Sequence, residues 1–401
     1  MPLFGLTCRS RMFPCCSGRD SKKSDETGSD DVAASASLLL SSSHRTPAAS
    51  PSSAHAPAFL SPLPLPLRRV AHGCVAFLGS LSSGNTAAEL DAAESDKSAR
   101  PLDEPTTLST VFVLRAIEST PSYLHNPFIL SGYRCYFSFG LACRSLFRWH
   151  NETINVWTHL APGLWFTWRM YAALVMELPA IAAEGSVQID SLDYLYHALF
   201  YLSLLACMFN SAAYHLLGCM DYASHVCLYR CDILGILSLI LGSFLPGLGY
   251  AFACRPVARG VYMGVISVLV LSLVAMFNHA ACASRRFHAL RVGCLVATIS
   301  FALLPTAHWV LLVHPAAPAT FLAPLCAMLG CYLAGFVVYS RHVPEVWSPG
   351  RFDFLFQSHH FWHLLVVAAA AIWEGEIREM MRRKGMAVCS GADAASMGAG
   401  A

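Results

Sequence analysis

The sequence predicts an all-α polytopic membrane protein: a seven-transmembrane helix bundle preceded by a surface helix and a disordered N-terminal tail. Three observations predict it. Charged residues make up 13% of the 401 residues and hydrophobic ones 55%, whereas soluble domains carry about 25% charged residues. The deficit is concentrated after residue 150, where the apolar residues gather into seven stretches of about span length. The residues before 105 are instead rich in Ser, Ala and Pro. The net charge of +2 leaves no electrostatic footprint for nucleic acid. No Cys-x-x-Cys pair occurs among the 16 cysteines, so none of them marks a cysteine-based zinc site.

Residues 1–105, with runs such as Ser41-Ser42-Ser43 and Pro62-Leu63-Pro64, bury too little apolar surface to offset the entropy of ordering. They are assigned to a disordered cytosolic tail. From Ile129 to His150 the chain turns aromatic and basic, through Tyr133, Arg134, Phe137, Arg144, Arg148 and Trp149. That pattern suits an amphipathic helix at the membrane surface. The spans are placed at 155–177, 196–217, 230–250, 259–280, 290–312, 318–340 and 357–375. The membrane domain is thus bounded at 120–375, with a short C-terminal tail at 376–401. Pro246 and Pro305 fall inside the third and fifth spans, where neighbouring helices satisfy the carbonyls that a proline frees. Arg134, Arg144 and Arg148 before the first span, and Arg285, Arg286 and Arg291 in the fourth loop, place the N-terminus in the cytosol. Arg382, Arg383 and Lys384 pull the other way.

The last span carries Ser358-His359-His360-Phe361-Trp362-His363. His359 and His363, four residues apart, share one helix face. Ionisable residues at membrane depth are functional candidates by default. Counting spans puts the end of the second, the start of the third and the start of the seventh at one leaflet, whichever way the chain is inserted. Ser211 and His215 lie at the first of these places, Asp232 at the second, and His359 and His363 at the third. His215, His359 and His363 make a His₃ donor set with room for water, the pattern of a catalytic Zn²⁺ site. Asp232 suits a general base for that water, and Ser211 suits a residue that orients it. Each has a structural alternative: Asp232 pairing with Arg230, and Ser211 serving as a small residue for close helix packing. His360 points about 100° away from the pair. His197 and His279 sit at span ends, and His308 lies deep in the fifth span.

The stretch Asn151-Glu152-Thr153-Ile154-Asn155-Val156-Trp157-Thr158-His159-Leu160, with Gly132-Tyr133-Arg134 upstream, resembles the opening signature of the progestin and adipoQ receptor family, which includes adiponectin receptors and haemolysin-III-like proteins. Ser211-x-x-x-His215, Asp232-Ile233-Leu234-Gly235 and Ser358-His359-x-x-x-His363 are similar to its other motifs, in order, over residues 120–375. The resemblance implies a seven-helix fold with a cytosolic N-terminus and a zinc ion held by His215, His359 and His363. Ser211 and Asp232 would stand around the zinc-bound water. It also implies a link to ceramide hydrolysis and to zinc and lipid homeostasis. Three functions follow as expectations. One is a zinc-dependent amidase of a ceramide-like membrane lipid. Another is a receptor for a lipid-derived or extracellular ligand, with a structural zinc. The third is a membrane tether acting through its tail.

Overall fold

The computed structural model describes residues 107–185, 187–279, 282, 287–313 and 318–384. The expected tail, 1–105, lies outside them. Helices dominate. After a short α1 (Phe139–Arg144) come α2 (Thr153–Tyr171), continued by a π-helical stretch Ala172–Glu177 into α3 (Leu178–Glu184), then α4 (Ser191–Leu217), α5 (Tyr222–Ala251) and α6 (Pro256–Asn278). They are followed by α7 (His288–Ser300), α8 (Leu303–His308) with a π-helical stretch Trp309–Val313, α9 (Pro318–Ser340) and α10 (Ser358–Lys384). Taken through their π-helical and turn joints, these form seven long helical segments among the described residues, and no sheet.

Among the described residues five stretches are long and apolar enough to cross a membrane: Ser191–Leu217, Tyr222–Ala251, Pro256–Asn278, His288–Leu311 and Phe321–Trp347. Their outer faces are apolar too, as at Val261, Val265, Val268 and Leu271 of α6, all exposed. An apolar stripe of that length suits acyl chains rather than water. The first and last segments fall short on composition because they carry the polar groups described below.

Capping explains where the helices outrun their apolar cores. α4 begins at Ser191, ahead of the expected 196, because Asp190 and Asp193 form a reciprocal capping box. α5 begins at Tyr222, well before 230, because the Asp221 side chain accepts from the Ser224 N–H. α10 does not stop at 375: it runs to Lys384, with Ile377, Met380 and Met381 buried and Arg378 and Arg383 paired to Glu374 and Glu379 one turn back. Residues 376–384 therefore belong to the helical domain rather than to a C-terminal tail. Pro305 has no N–H to offer the Phe301 carbonyl, and the chain unwinds at Phe301 and Ala302 between α7 and α8.

The bundle closes around a core of Leu204, Leu237, Ile266 and Ala369, from α4, α5, α6 and α10. α4 packs on α2 and α5, and α10 packs on α9, α2 and α5. α4 and α5 approach closely: a Cβ on Gly242 would stand 1.9 Å from Ser203 Oγ and 3.0 Å from the Leu199 carbonyl.

The surface helix is brief. Of the stretch 129–150 only Phe139–Arg144, with a 3₁₀ turn at Ser145–Phe147, is helical. Phe147 and Trp149 are exposed, as an interfacial role requires. Tyr133 and Arg134 instead turn inward and are buried. Arg134 is consequently not a surface charge that orients the chain. It caps the C-terminus of α4, donating to the carbonyls of His215 (2.7 Å) and Leu216 (2.9 Å) and to Ser145 Oγ. At the other end of the bundle Lys384 binds Asp190 and Asp193. The basic end of α10 is thus partly neutralised by the start of α4.

The segments 126–152 and 341–357 fold together over one end of the bundle. Asp353 accepts from Leu130 N (2.9 Å) and Ser131 Oγ (2.6 Å), and Gln357 Nε2 donates to the Asn151 carbonyl (3.0 Å). Gly132, at φ +84°, has a ring carbon of Phe354 3.0 Å from where a Cβ would lie, so the turn admits no side chain there.

Candidate metal centre

The starts of α2, α5 and α10 and the end of α4 meet beneath this roof. His215 is held in the last turn of α4, whose final carbonyls Arg134 caps. The second turn of α10 presents His363, and the first presents His359. That turn is anchored by buried Glu345, whose carboxylate accepts from Ser358 N (2.8 Å) and from the Ser358 hydroxyl. A carboxylate at a helix N-terminus also complements the helix dipole.

The three imidazoles predicted from spacing come together. Their nearest ring nitrogens all lie within 4.8 Å of one another, and His215 Nε2 stands 3.2 Å from His359 Nε2. His215 Nδ1 is 2.8 Å from Glu152 Oε2, and His363 Nδ1 is 2.9 Å from Thr158 Oγ1. A carboxylate only accepts, so His215 Nδ1 carries a proton, and Nε2 is the nitrogen turned to His359. Two ligands of a tetrahedral ion at about 2.0–2.1 Å stand roughly 3.3 Å apart, and the 3.2 Å separation fits that edge. The donor set can therefore hold a metal ion.

Glu152 lies at the N-cap position of α2. Burial alone would raise its carboxyl. The hydrogen bonds with His215 and Asn155 outweigh burial and hold it below the ordinary carboxylate range.

Ser211 and Asp232 line the same cavity as the triad. The Ser211 hydroxyl is buried and faces the Asp232 carboxylate. Asp232 makes no ion pair with Arg230 among them. The cavity, about 460 Å³, runs from the triad past Ile236 and Leu325 to Trp309 and Trp373 at greater depth. Its wall is mostly apolar.

His360, His308 and His197 stand apart from the triad. His360 leaves the triad, as its helix phase predicts, and its Nδ1 accepts from Gln357 N (3.2 Å). His308 pairs with the Tyr262 hydroxyl at 2.8 Å and is not among the cavity-lining residues. His197 Nδ1 lies 2.9 Å from the Asp193 carbonyl.

Four participants escaped the sequence reading: Glu152, Asn155, Thr158 and His159. His159 stacks on His363, with ring centroids 3.7 Å apart and planes 13° apart. The signal was available, since the span count that grouped the other residues also brings the start of the first span to the same end.

A helical membrane bundle with an internal His₃ cluster is the class that fold and site define. Residues 147–373, more than half of the chain, match the profile of the haemolysin-III related family. The chain belongs to that family, which is also the family of the progestin and adipoQ receptors. It is 31% identical over 292 residues to heptahelical transmembrane protein 3 of Arabidopsis thaliana, covering 64% of this chain and 84% of the relative. Progestin and adipoQ receptor family member 3 of Mus musculus is 30% identical over 254 residues, 62% of this chain and 79% of the relative. The adiponectin receptor protein of Drosophila melanogaster is 31% identical over 272 residues, 66% of this chain but 58% of the relative.

Proposed function

We propose that the triad holds Zn²⁺ and that the protein hydrolyses the amide bond of a ceramide-like lipid lying in the cavity. The observation that carries this reading is the placement of three converging imidazoles and a serine–carboxylate pair around one apolar cavity. A neutral His₃ set suits zinc better than hard, oxygen-seeking cations. The bound ion would supply Lewis acidity, acidifying water and polarising a carbonyl. The chain's own groups do the rest. The apolar wall receives acyl chain and excludes bulk water from around the amide. Asp232 accepts the proton of the attacking water as its oxygen bonds to the carbonyl carbon. The carbon–nitrogen bond then breaks, and Asp232 returns the proton to the leaving amine, giving a fatty acid and an amine. Ser211, beside Asp232, orients that carboxylate and the water.

The test is ceramide turnover by the purified protein. Asp232→Asn is expected to cut the rate by about 10²-fold or more while the metal stays bound. Equal rates in wild type and variant overturn the reading.

A receptor is the second reading, and the names of the fly and mouse relatives favour it. In it the metal braces α4 against α10, and a lipid-derived or extracellular ligand shifts the helices. Turnover at zero in the wild type, with metal bound, selects it. The two readings coexist if hydrolysis is the receptor's output.

A further inference from the structure

The first helical segment gives no imidazole to the triad, yet it reaches two of the three rings from behind. Glu152 meets His215 Nδ1 at 2.8 Å, and Thr158 Oγ1 meets His363 Nδ1 at 2.9 Å. Neither group is loose. Asn126 Nδ2 donates to Glu152 Oε1 (2.8 Å) and Asn155 Nδ2 to Glu152 Oε2 (2.6 Å), so the carboxylate is pinned from both sides. The Thr158 hydroxyl proton has its own acceptors one turn back, the carbonyls of Ile154 (2.8 Å) and Asn155 (3.0 Å). Its oxygen is then left to accept from the His363 Nδ1–H. His159, on the same helix, lies flat against the His363 ring and fixes its plane.

We infer that Glu152 and Thr158 are the positioning residues of the metal centre, locking His215 and His363 as Nδ1–H tautomers with their Nε2 lone pairs turned to one point. This rests on the metal-binding reading above. An imidazole that gives its Nδ1–H to an acceptor is oriented in advance and is a stronger base at Nε2. Partners of this kind typically account for 10–100-fold in metal affinity. α2 thereby becomes part of the centre without supplying a ligand.

The experiment measures zinc affinity of the full-length protein in detergent, by competition with a chromophoric chelator, and the visible spectrum of its Co²⁺ form. Thr158→Val removes the acceptor at constant shape, Thr158→Ser restores it, and Glu152→Gln removes the charge. Thr158→Val and Glu152→Gln are expected to weaken zinc binding roughly 10–100-fold and to shift the Co²⁺ bands, while Thr158→Ser stays within about twofold of wild type. Should Glu152→Gln fail to fold, the Val and Ser variants of Thr158 decide alone. Wild-type affinity in Thr158→Val, with metal lost in His215→Ala, overturns this inference and leaves the metal centre standing. A wild type that takes up no zinc overturns both.

Discussion

His150 is fully buried just ahead of α2, with Nδ1 accepting from Glu152 N (3.1 Å) and Nε2 3.2 Å from the Ser145 carbonyl. That pattern requires the neutral ring, protonated at Nε2. Burial, reinforced by the nearby Arg134 guanidinium, pushes its pKa down to about 3. Between about 6.5 and about 3 the unfolded chain binds a proton here that the folded chain does not. Stability should therefore fall on acidification through that window, by up to roughly 1.4 kcal/mol per pH unit for this one group. His150→Gln should melt lower at pH 7.5 and yet show a shallower loss of Tm toward pH 4.5. An unchanged slope would count against a neutral His150. At this scale the convergence of the three imidazoles was legible, because an i, i+4 pair and a span count need no three-dimensional information. Their individual partners were not, although the count brings the start of the first span to the same end. Glu152 sits in a loop-to-helix junction 63 residues from His215, and no periodicity links the two.

The helices are spaced by what their faces lack. Gly235, Gly242 and Gly249 recur along α5, and at the first two a Cβ would stand 2.8 Å from Cys207 Cα and 2.6 Å from Ser203 Cβ. These contacts press α5 onto α4, which places Asp232 on the cavity wall that His215 also lines. Gly242→Ala should cost about 1–3 kcal/mol through overpacking, read as a lower denaturation midpoint in detergent. Ser203→Gly in the same chain should restore part of the loss, whereas a Gly242→Ala variant as stable as wild type would contradict the close approach. Apolar run lengths located the seven segments but misjudged their ends. Hydropathy reports the part of a helix that meets lipid, whereas Asp190, Asp221 and the buried face of α10 decide where the backbone stops being helical. The expected surface helix shrank for a related reason: Tyr133 and Arg134 are committed to the interior, so the amphipathic pattern they seemed to complete is not one face.

Across the whole molecule, polar groups concentrate at both ends of the first and last helical segments. One end holds the triad under its roof. The other holds Arg169, which donates to Glu177 and Glu374, with the Tyr201 hydroxyl and Arg378 also on Glu374. α2 and α10 are thus tied twice, by ion pairs at one end and through the Thr158 and His159 contacts with His363 at the other. Removing a buried member of such a network typically costs about 3–5 kcal/mol, so the ionic end braces α2 against α10. None of this pairing is visible in composition, where the same residues merely lower the apolarity of two spans. The central claim is that His215, His359 and His363 share one ion, and metal analysis of the purified full-length protein tests it most directly. Wild type should carry about one zinc per chain and His215→Ala, at equal helix content, close to none. A metal-free wild type, or equal zinc in both proteins, would contradict it.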